Sequence, residues 1–380
     1  MTAALAARSR GHDVTLVDPG PIPYRDAEST DISKVVRLDY GADEATTAMM
    51  ENALERWREW NRRWGEEVFQ ETGVLFATSA PMKPGTFEHD SMEVLVRRGH
   101  RLERLDAAAI ASRFPAFAPG ALVDGYFNPV GGWAASGAVV EKLVQDARNV
   151  GVNVEAGVHV ERLVERGARI TGILDAEGKA READIVIVAA GSWTTRLCPW
   201  LAPHLRATGQ PVFHLTPRDR LDTYRAPSLP VFGADLATSG WYGFPAQRSG
   251  VVKVANHGVG RSLEQGPPLP GATSKREASD AERGALRAFF ARVLPALDES
   301  MLVATRICVY CDTADGHFWI APDPEREGLV VASGGSGHGF KFAPLLGDII
   351  ADAMEGKVDP RYRWRPEAIN ATSEEAARAR

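Results

Sequence analysis

The stretch that most constrains the fold is the first eighteen residues, MTAALAARSRGHDVTLVD: an alanine-rich helical run, a break at Gly11-His12, then an apolar, β-branched run ending on Asp18. A helix followed by a short, continuously apolar strand fits a parallel sheet covered on both faces, where the usual in/out alternation is lost. The pattern returns. SGAVVEKLVQDARNVGVNVEAGVHV reads as helix then strand, a β-meander follows, and DIVIVAAGSW is a second buried strand. Near the end, HFWIAPDPEREGLVVASGGSGHGFKFAPLLGDIIADAMEG reads as strand, turn, strand, glycine loop and helix. Such alternation predicts an α/β layer.

Other segments have a different texture. ADEATTAMMENALERWREWNRRWGEEVFQETG predicts one long amphipathic helix with Trp57, Trp60 and Trp64 on its inner face. VLFATSA follows as a strand, and the Pro/Gly-rich APMKPG marks a crossing into a second domain. Between about 205 and 300, strands with proline-rich connections lead to the helix SDAERGALRAFFARVLPAL. The expected architecture is two interleaved domains. Residues 1–80, 137–205 and 301–365 form a discontinuous Rossmann-like domain. Residues 81–136 and 206–300 form an α+β domain built on an antiparallel sheet, and 366–380 a polar tail.

Charge and cysteine usage narrow the partners. A net charge of −6 over 380 residues, with no basic run, gives no footprint for nucleic acid or an anionic membrane. No stretch approaches the ~20 apolar residues of a membrane span. Three cysteines, Cys198, Cys308 and Cys311, are too few for a disulfide framework, so a soluble cytoplasmic protein acting on a small molecule is expected. No metal-ligating spacing is present.

Five stretches carry candidate chemistry. Asp18, at the carboxyl end of its strand, is placed to hold the adenosine ribose of FAD or NAD, or else simply starts a turn. In ASGGSGHGFKFAPLLGDII, Gly334, Gly335, Gly337 and Gly339 let backbone approach a ligand closely, and Lys341 beside Phe340 and Phe342 calls for an anion such as a substrate carboxylate. In RICVYCDTADGHFWIAPDP the C-x-x-C lies on a strand, which sends Cys308 and Cys311 to opposite faces and disfavours a dithiol or zinc site. STDISKVVRLDYG places Lys34 and Arg37 near one face if it is helical, while Lys253 in VVKVANH shares a strand face with Val251 and Ala255, a rare setting for a lysine.

Together these stretches resemble the sarcosine oxidase branch of the D-amino-acid-oxidase-like flavoproteins. The resemblance runs through GHDVTLVD, SKVVRLDYG, ETGVLFA, YFNPVGGW, VIVAAGSW, YGFP, VVKVANH, CVY, HFWI and SGHGFKF in order. It implies an FAD-dependent oxidase of a secondary or N-alkylated amino acid, with oxygen as acceptor and peroxide as product. Cys308 matches a cysteine that attaches the flavin covalently. Arg37 and Lys341 match the pair gripping the substrate carboxylate, and Lys253 the lysine that promotes reaction with oxygen. Tyr242, His257 and Tyr310 match the substrate cavity. Asp18, Val160, Ala190 and Gly191 match adenosine-side contacts, and Gly335, Gly337, His338 and Gly339 the loop over the flavin.

Lys34 and Thr30 stand where monomeric sarcosine oxidases carry arginine and histidine, so Lys34 joins the cofactor side. DISKVVR and GGWAAS are closer to fructosyl amino acid, pipecolate and saccharopine oxidases, leaving the amine open. Relatives place a strand and a G-x-G-x-x-G turn ahead of the first helix. Met1 falls inside that helix, so this strand and turn are expected upstream of the assigned start. The alternatives are a dehydrogenase of the same fold that passes electrons to a quinone or electron-transfer protein, and a flavin-free remnant. A monomer or homodimer is expected.

Overall fold

The computed structural model describes residues 1–24, 27–263 and 276–370. The last ten residues of the expected polar tail lie outside the described residues. Helix Thr2–Ser9 leads into strand Thr15–Asp18, which pairs in parallel with Asn153–Ala156. A second parallel pair joins Val186–Val188 to Leu329–Ser333, whose other edge pairs antiparallel with Trp319–Pro322. Among the described residues no ladder links the two groups, so the parallel layer stands as a two-stranded and a three-stranded sheet. The expected β-meander is Val160–Arg166, Arg169–Asp175 and Ala180–Glu182.

Helices Thr2–Ser9, Ser136–Asn149 and Ala343–Met354 cover this layer. Ala4, Ala147 and Val152 make a small core with Leu5, Leu16 and Val154. At Gly347 the first and last helices meet so closely that a Cβ would lie 2.5 Å from the Thr2 carbonyl oxygen. Small residues at this crossing follow from that approach.

The second layer is a nine-stranded sheet. Its order is Arg261–Ser262, Arg206–Leu215, Val252–Asn256, Trp241–Phe244, Val231–Ala234, Val74–Thr78, Asp124–Asn128 and Glu103–Asp106, with Leu302–Asp312 also paired along Arg206–Leu215. Side chains alternate across a strand, so the sheet has two distinct faces. Leu75, Phe213, Phe232, Trp241, Val252 and Val254 pack under helix Asp280–Val293, where Trp241 stacks on Phe289 at 4.7 Å. That helix opens with a capping box between Ser279 and Glu282. The in-between residues Phe76, Tyr242, Phe244 and Lys253 belong to the other face. There Phe76 and Phe244 pack into one core with Trp57 and Phe342.

Three expectations need correction. The long amphipathic helix spans only Glu44–Trp64, because Gly65 closes it in a left-handed conformation and Asn61 bonds back to both the N–H and the carbonyl of Phe69. Strands Val74–Thr78 and Leu302–Asp312, grouped by sequence with the Rossmann-like segments, hydrogen-bond within the nine-stranded sheet. Chain order hid this, since their partners are distant in sequence. SKVVR is not helical; Lys34–Val36 is a strand pairing with Gly132–Ala134, which also pairs with Phe69–Gln70.

The helix crossing is testable. Gly347→Ala forces a methyl into the Thr2 backbone, and overpacking of this kind costs about 1–3 kcal/mol. Thermal unfolding should show the drop, while an alanine at Gly356, whose Cβ would meet nothing within 4 Å, differs in cause and gives only the milder penalty of its left-handed backbone.

Candidate functional site

The site is built on the face of the nine-stranded sheet turned away from helix Asp280–Val293. Lys253, 1% exposed, stands opposite His214 in the ladder between Val252–Asn256 and Arg206–Leu215. Its Nζ donates to Asp31 Oδ2 at 2.5 Å and to the Ser33 carbonyl at 2.6 Å, and lies 4.8 Å above the Phe244 ring. His214 Nε2 meets the other Asp31 oxygen at 3.1 Å, and Lys34 Nζ approaches Oδ2 at 3.9 Å. Burial pulls the Lys253 ammonium down to about 8 even with Asp31 beside it. Burial would raise the Asp31 carboxyl, but Lys253, the His214 hydrogen bond and Lys34 hold it well below the usual carboxylate range.

A second group lies around Tyr40. Lys341, 3% exposed, donates from Nζ to the Tyr40 hydroxyl at 3.0 Å, and that hydroxyl lies 3.3 Å from His338 Nδ1. His338 Nε2 is 2.8 Å from the Gly316 carbonyl, which only accepts, so Nε2 carries hydrogen and Nδ1 of the neutral ring accepts from Tyr40. The Arg37 guanidinium sits 4.9 Å from the Tyr40 ring centroid and 5.3 Å from that of Phe87. Trp57, expected as core, also donates its indole N–H to the Lys341 carbonyl at 2.7 Å and so fixes the backbone carrying that lysine. Behind Arg37, Tyr126 donates to the fully buried Asp39 at 2.6 Å; burial raises the Asp39 carboxyl against the pull of Tyr126 and Arg37.

The third group is Tyr242, His257, Tyr310 and Cys308. His257 Nδ1 lies 3.2 Å from the Tyr310 hydroxyl, and Tyr242 packs on the buried patch of Cys308, Tyr310, Val212 and Ala255. Burial pushes the Cys308 thiol up to about 12, with Lys34 Nζ 3.8 Å from the sulfur. Cys311 faces the opposite core with Trp319 and Val331, as alternation along the strand requires. The glycine loop closes on this group: a Cβ at Gly337 would lie 2.3 Å from the Tyr310 ring, so only glycine fits, and its φ of +75° also favours glycine.

The remaining residues lie where parallel strands end. Asp18 closes Thr15–Asp18, Ala190 and Gly191 follow Val186–Val188, and Ser333 ends Leu329–Ser333 just before the glycine loop. Carboxyl ends of parallel strands are where such sheets bind ligands. Asp18 accepts the Gly20 N–H at 3.0 Å, its backbone carbonyl bonds Val158 two residues before Val160, and burial raises its carboxyl. Ser333 Oγ donates to the Gly191 carbonyl at 3.2 Å, joining two of the strand ends.

A bound FAD fits these residues. Gly191 and Gly335 present backbone to open space, with nothing within 4 Å of a Cβ at either position. Ser33 Oγ and Ser192 Oγ are buried without a hydrogen-bond partner among the described residues, one beside the Lys253 group and one beside Gly191. Both suit a polar cofactor spanning from the strand ends to the nine-stranded sheet.

Sequence reasoning named Lys253, Lys341, Arg37 and Lys34 but missed Asp31, His214, Tyr40 and Ser33. Asp31 left a signal, an acid three residues before Lys34; Tyr40 left none. The two cations expected on one helical face diverge instead, Lys34 toward Asp31 and Cys308, Arg37 toward Tyr40 and Phe87.

Residues 1–353 match the family of FAD-dependent oxidoreductases. Monomeric sarcosine oxidase from a Bacillus species is 25% identical over 365 residues, covering 94% of this chain and 90% of that protein. L-Saccharopine oxidase from Schizosaccharomyces pombe is 25% identical over 399 residues, covering 96% and 90%. Fructosamine oxidase from Aspergillus fumigatus (Amadoriase II) has the same fold, with a TM-score of 0.83 at 24% identity over 100% of this chain and 90% of that one.

All three thiols are free and buried. Folded protein without flavin should therefore resist iodoacetamide at pH 8 and titrate three thiols in denaturant. Rapid native labelling of Cys308 would contradict its burial.

Proposed function

We propose that this chain, which belongs to the FAD-dependent oxidoreductase family, oxidises the C–N bond of a secondary or N-alkylated amino acid. The products are an imine, which water hydrolyses, and hydrogen peroxide. The observation that carries the reading is the convergence of two buried cations, Arg37 and Lys341, on one tyrosine: their charges lie 4.9 and 5.2 Å from the Tyr40 ring centroid. Positive potential in a dry, aromatic-walled site selects a carboxylate. The relatives are named for sarcosine, L-saccharopine and fructosamine, all substituted amines, which supports this reading.

When bound, FAD accepts the electron pair from the substrate and passes it to oxygen. The protein's part is positioning and charge. Arg37 and Lys341 hold the substrate carboxylate, and the chain Lys341–Tyr40–His338–Gly316 keeps that ammonium in place. Tyr242, His257 and Tyr310 enclose the amine side. Lys253 offers a fixed ammonium that stabilises negative charge developing on oxygen. Cys308 is the attachment point for a covalent flavin, and Gly191, Asp18 and Val160 serve the adenosine half. The three free cysteines favour a reducing, cytoplasmic setting.

A panel of sarcosine, pipecolate, saccharopine and fructosyl amino acids, read by peroxide release under air, tests this. Flavin bleaching without peroxide would instead indicate a dehydrogenase, and no bleaching with any of them would remove the proposal. Lys341→Met should lower kcat/KM by ~10- to 100-fold, equivalent to the ~1.5–3 kcal/mol of a hydrogen bond to a charged group. Lys253→Met should slow reaction of the reduced protein with oxygen by ~100-fold, comparable to loss of one oxyanion donor, with flavin reduction nearly unchanged. Denatured holoprotein should titrate one thiol fewer than apoprotein, and Cys308→Ala should abolish that difference.

A further inference from the structure

Lys253 is embedded in a sheet, 1% exposed, on a strand whose neighbouring side chains are apolar. A lysine in that position readily loses its proton, since burial penalises the charged form. The amine and the ammonium also differ in what they offer a ligand. An ammonium has three N–H donors; Asp31 Oδ2 and the Ser33 carbonyl take two of them, and the third remains for the site. A neutral amine making the same two bonds would present a lone pair there instead. Oxygen chemistry that gains from positive charge needs the first arrangement.

Asp31 has no part in the roles assigned above, yet its side chain is only 3% exposed. An isolated carboxylate at that depth is costly, and this one is used on both oxygens: Oδ1 meets His214 Nε2 at 3.1 Å, and Oδ2 takes Lys253 at 2.5 Å with Lys34 at 3.9 Å. His214 and Lys253 are direct neighbours across two adjacent strands, so the carboxylate bridges a ladder pair from above. We propose that Asp31, clamped by His214, is a positioning residue that keeps Lys253 as an ammonium ion and aims its free N–H into the site. The proposal rests on the reading of Lys253 as the oxygen-facing cation.

Other charges face the same spot. Lys34, from the Lys34–Val36 strand, opposes the Lys253 charge; Cys308 and Tyr242, from two strands of the large sheet, add negative charge only if ionised, and burial opposes that in both. Glu28 and Arg306 act on Cys308 with opposite sign. Asp31 is the carboxylate in hydrogen-bonding contact with Lys253. With it gone, Lys34 and Lys253 would be two ammonium groups sharing one buried pocket.

The test uses FAD-loaded enzyme and Asp31→Asn, which keeps shape and removes charge. Reaction of the reduced enzyme with oxygen should fall by at least ~5-fold at pH 8, where Lys253 is about half protonated and a drop of one unit leaves about one ammonium in eleven. The pH above which that rate declines should move down by ~1 unit or more, while the rate of reduction by substrate stays near wild type. Asp31→Glu should restore part of the loss. A second arm needs no turnover. Lys253 binds its proton more weakly folded than unfolded, so between about pH 8 and the ordinary lysine value of ~10.4 its own contribution to stability rises with pH, against the opposite contribution of the three buried thiols, whose protons the unfolded chain loses first. The difference in thermal unfolding between wild type and Lys253→Met, in which the thiols cancel, should show that rise, and it should start at lower pH in Asp31→Asn.

An unchanged onset in Asp31→Asn, or equal losses in both half-reactions, overturns the clamp. If Lys253→Met leaves the oxygen reaction intact, the reading of Lys253 fails instead, and the unfolding arm still decides whether Asp31 holds its charge. Should Asp31→Asn fail to fold, Asp31→Ser, which also removes the charge, carries both arms, with a shifted onset expected and an unshifted one overturning the proposal.

Discussion

Keeping positive charge out of water is the constraint on which the rest of this structure depends. Lys253, Lys341 and Arg37 are each 5% exposed or less, and a buried cation costs several kcal/mol unless neighbouring groups compensate it. The nine-stranded sheet makes the arrangement possible. One face packs under helix Asp280–Val293 and supplies apolar burial, so the alternate positions on the other face are freed for Lys253, Tyr242 and Phe76. The stability lent by one face supports charged groups on the other.

The parallel layer supplies the second half of the site by a different principle. There the strand ends, rather than the strand faces, converge: Asp18, Ala190-Gly191 and the Ser333–Gly334 turn each follow a parallel strand. Glycines let backbone line the site at Gly191 and Gly335, and Gly337 lies flat against Tyr310. Through that contact and the Ser336 N–H bond to the Cys311 carbonyl at 2.9 Å, the loop from the parallel layer joins strand Leu302–Asp312 of the nine-stranded sheet. The two layers are thereby fixed relative to one another at the point where cofactor and substrate would meet.

Much of this was legible in the sequence, and the misses share a cause. The buried strands, the glycine loop, the opposed faces of Cys308 and Cys311 and the unusual Lys253 follow from local pattern, because period and residue type are local properties. Asp31, His214 and Tyr40 are functional only through partners 222, 183 and 301 residues away in pairs such as Lys253–Asp31, His214–Asp31 and Lys341–Tyr40. No local pattern marks them. The same limit misassigned Val74–Thr78 and Leu302–Asp312, whose ladder partners lie far along the chain, and left the conformation of SKVVR open, which a distant strand, Gly132–Ala134, decides.

The three cations are compensated in three ways, and the differences follow from their chemistry. Arg37 keeps its charge at any accessible pH and is weakly hydrated, so aromatic faces from Tyr40, Phe76 and Phe87 can wall it, with the buried Asp39 carboxyl also within its field. Lys341 is more strongly hydrated and receives a hydroxyl, itself tied through His338 to a backbone carbonyl, which orients the ammonium without neutralising its field. A full negative charge there would compete with a carboxylate ligand. Lys253 holds a carboxylate in direct hydrogen-bonding contact, Asp31 at 2.5 Å. A group that meets only a neutral molecule such as oxygen has no anionic ligand to repel, so a fixed counter-ion costs it nothing in binding and protects its proton.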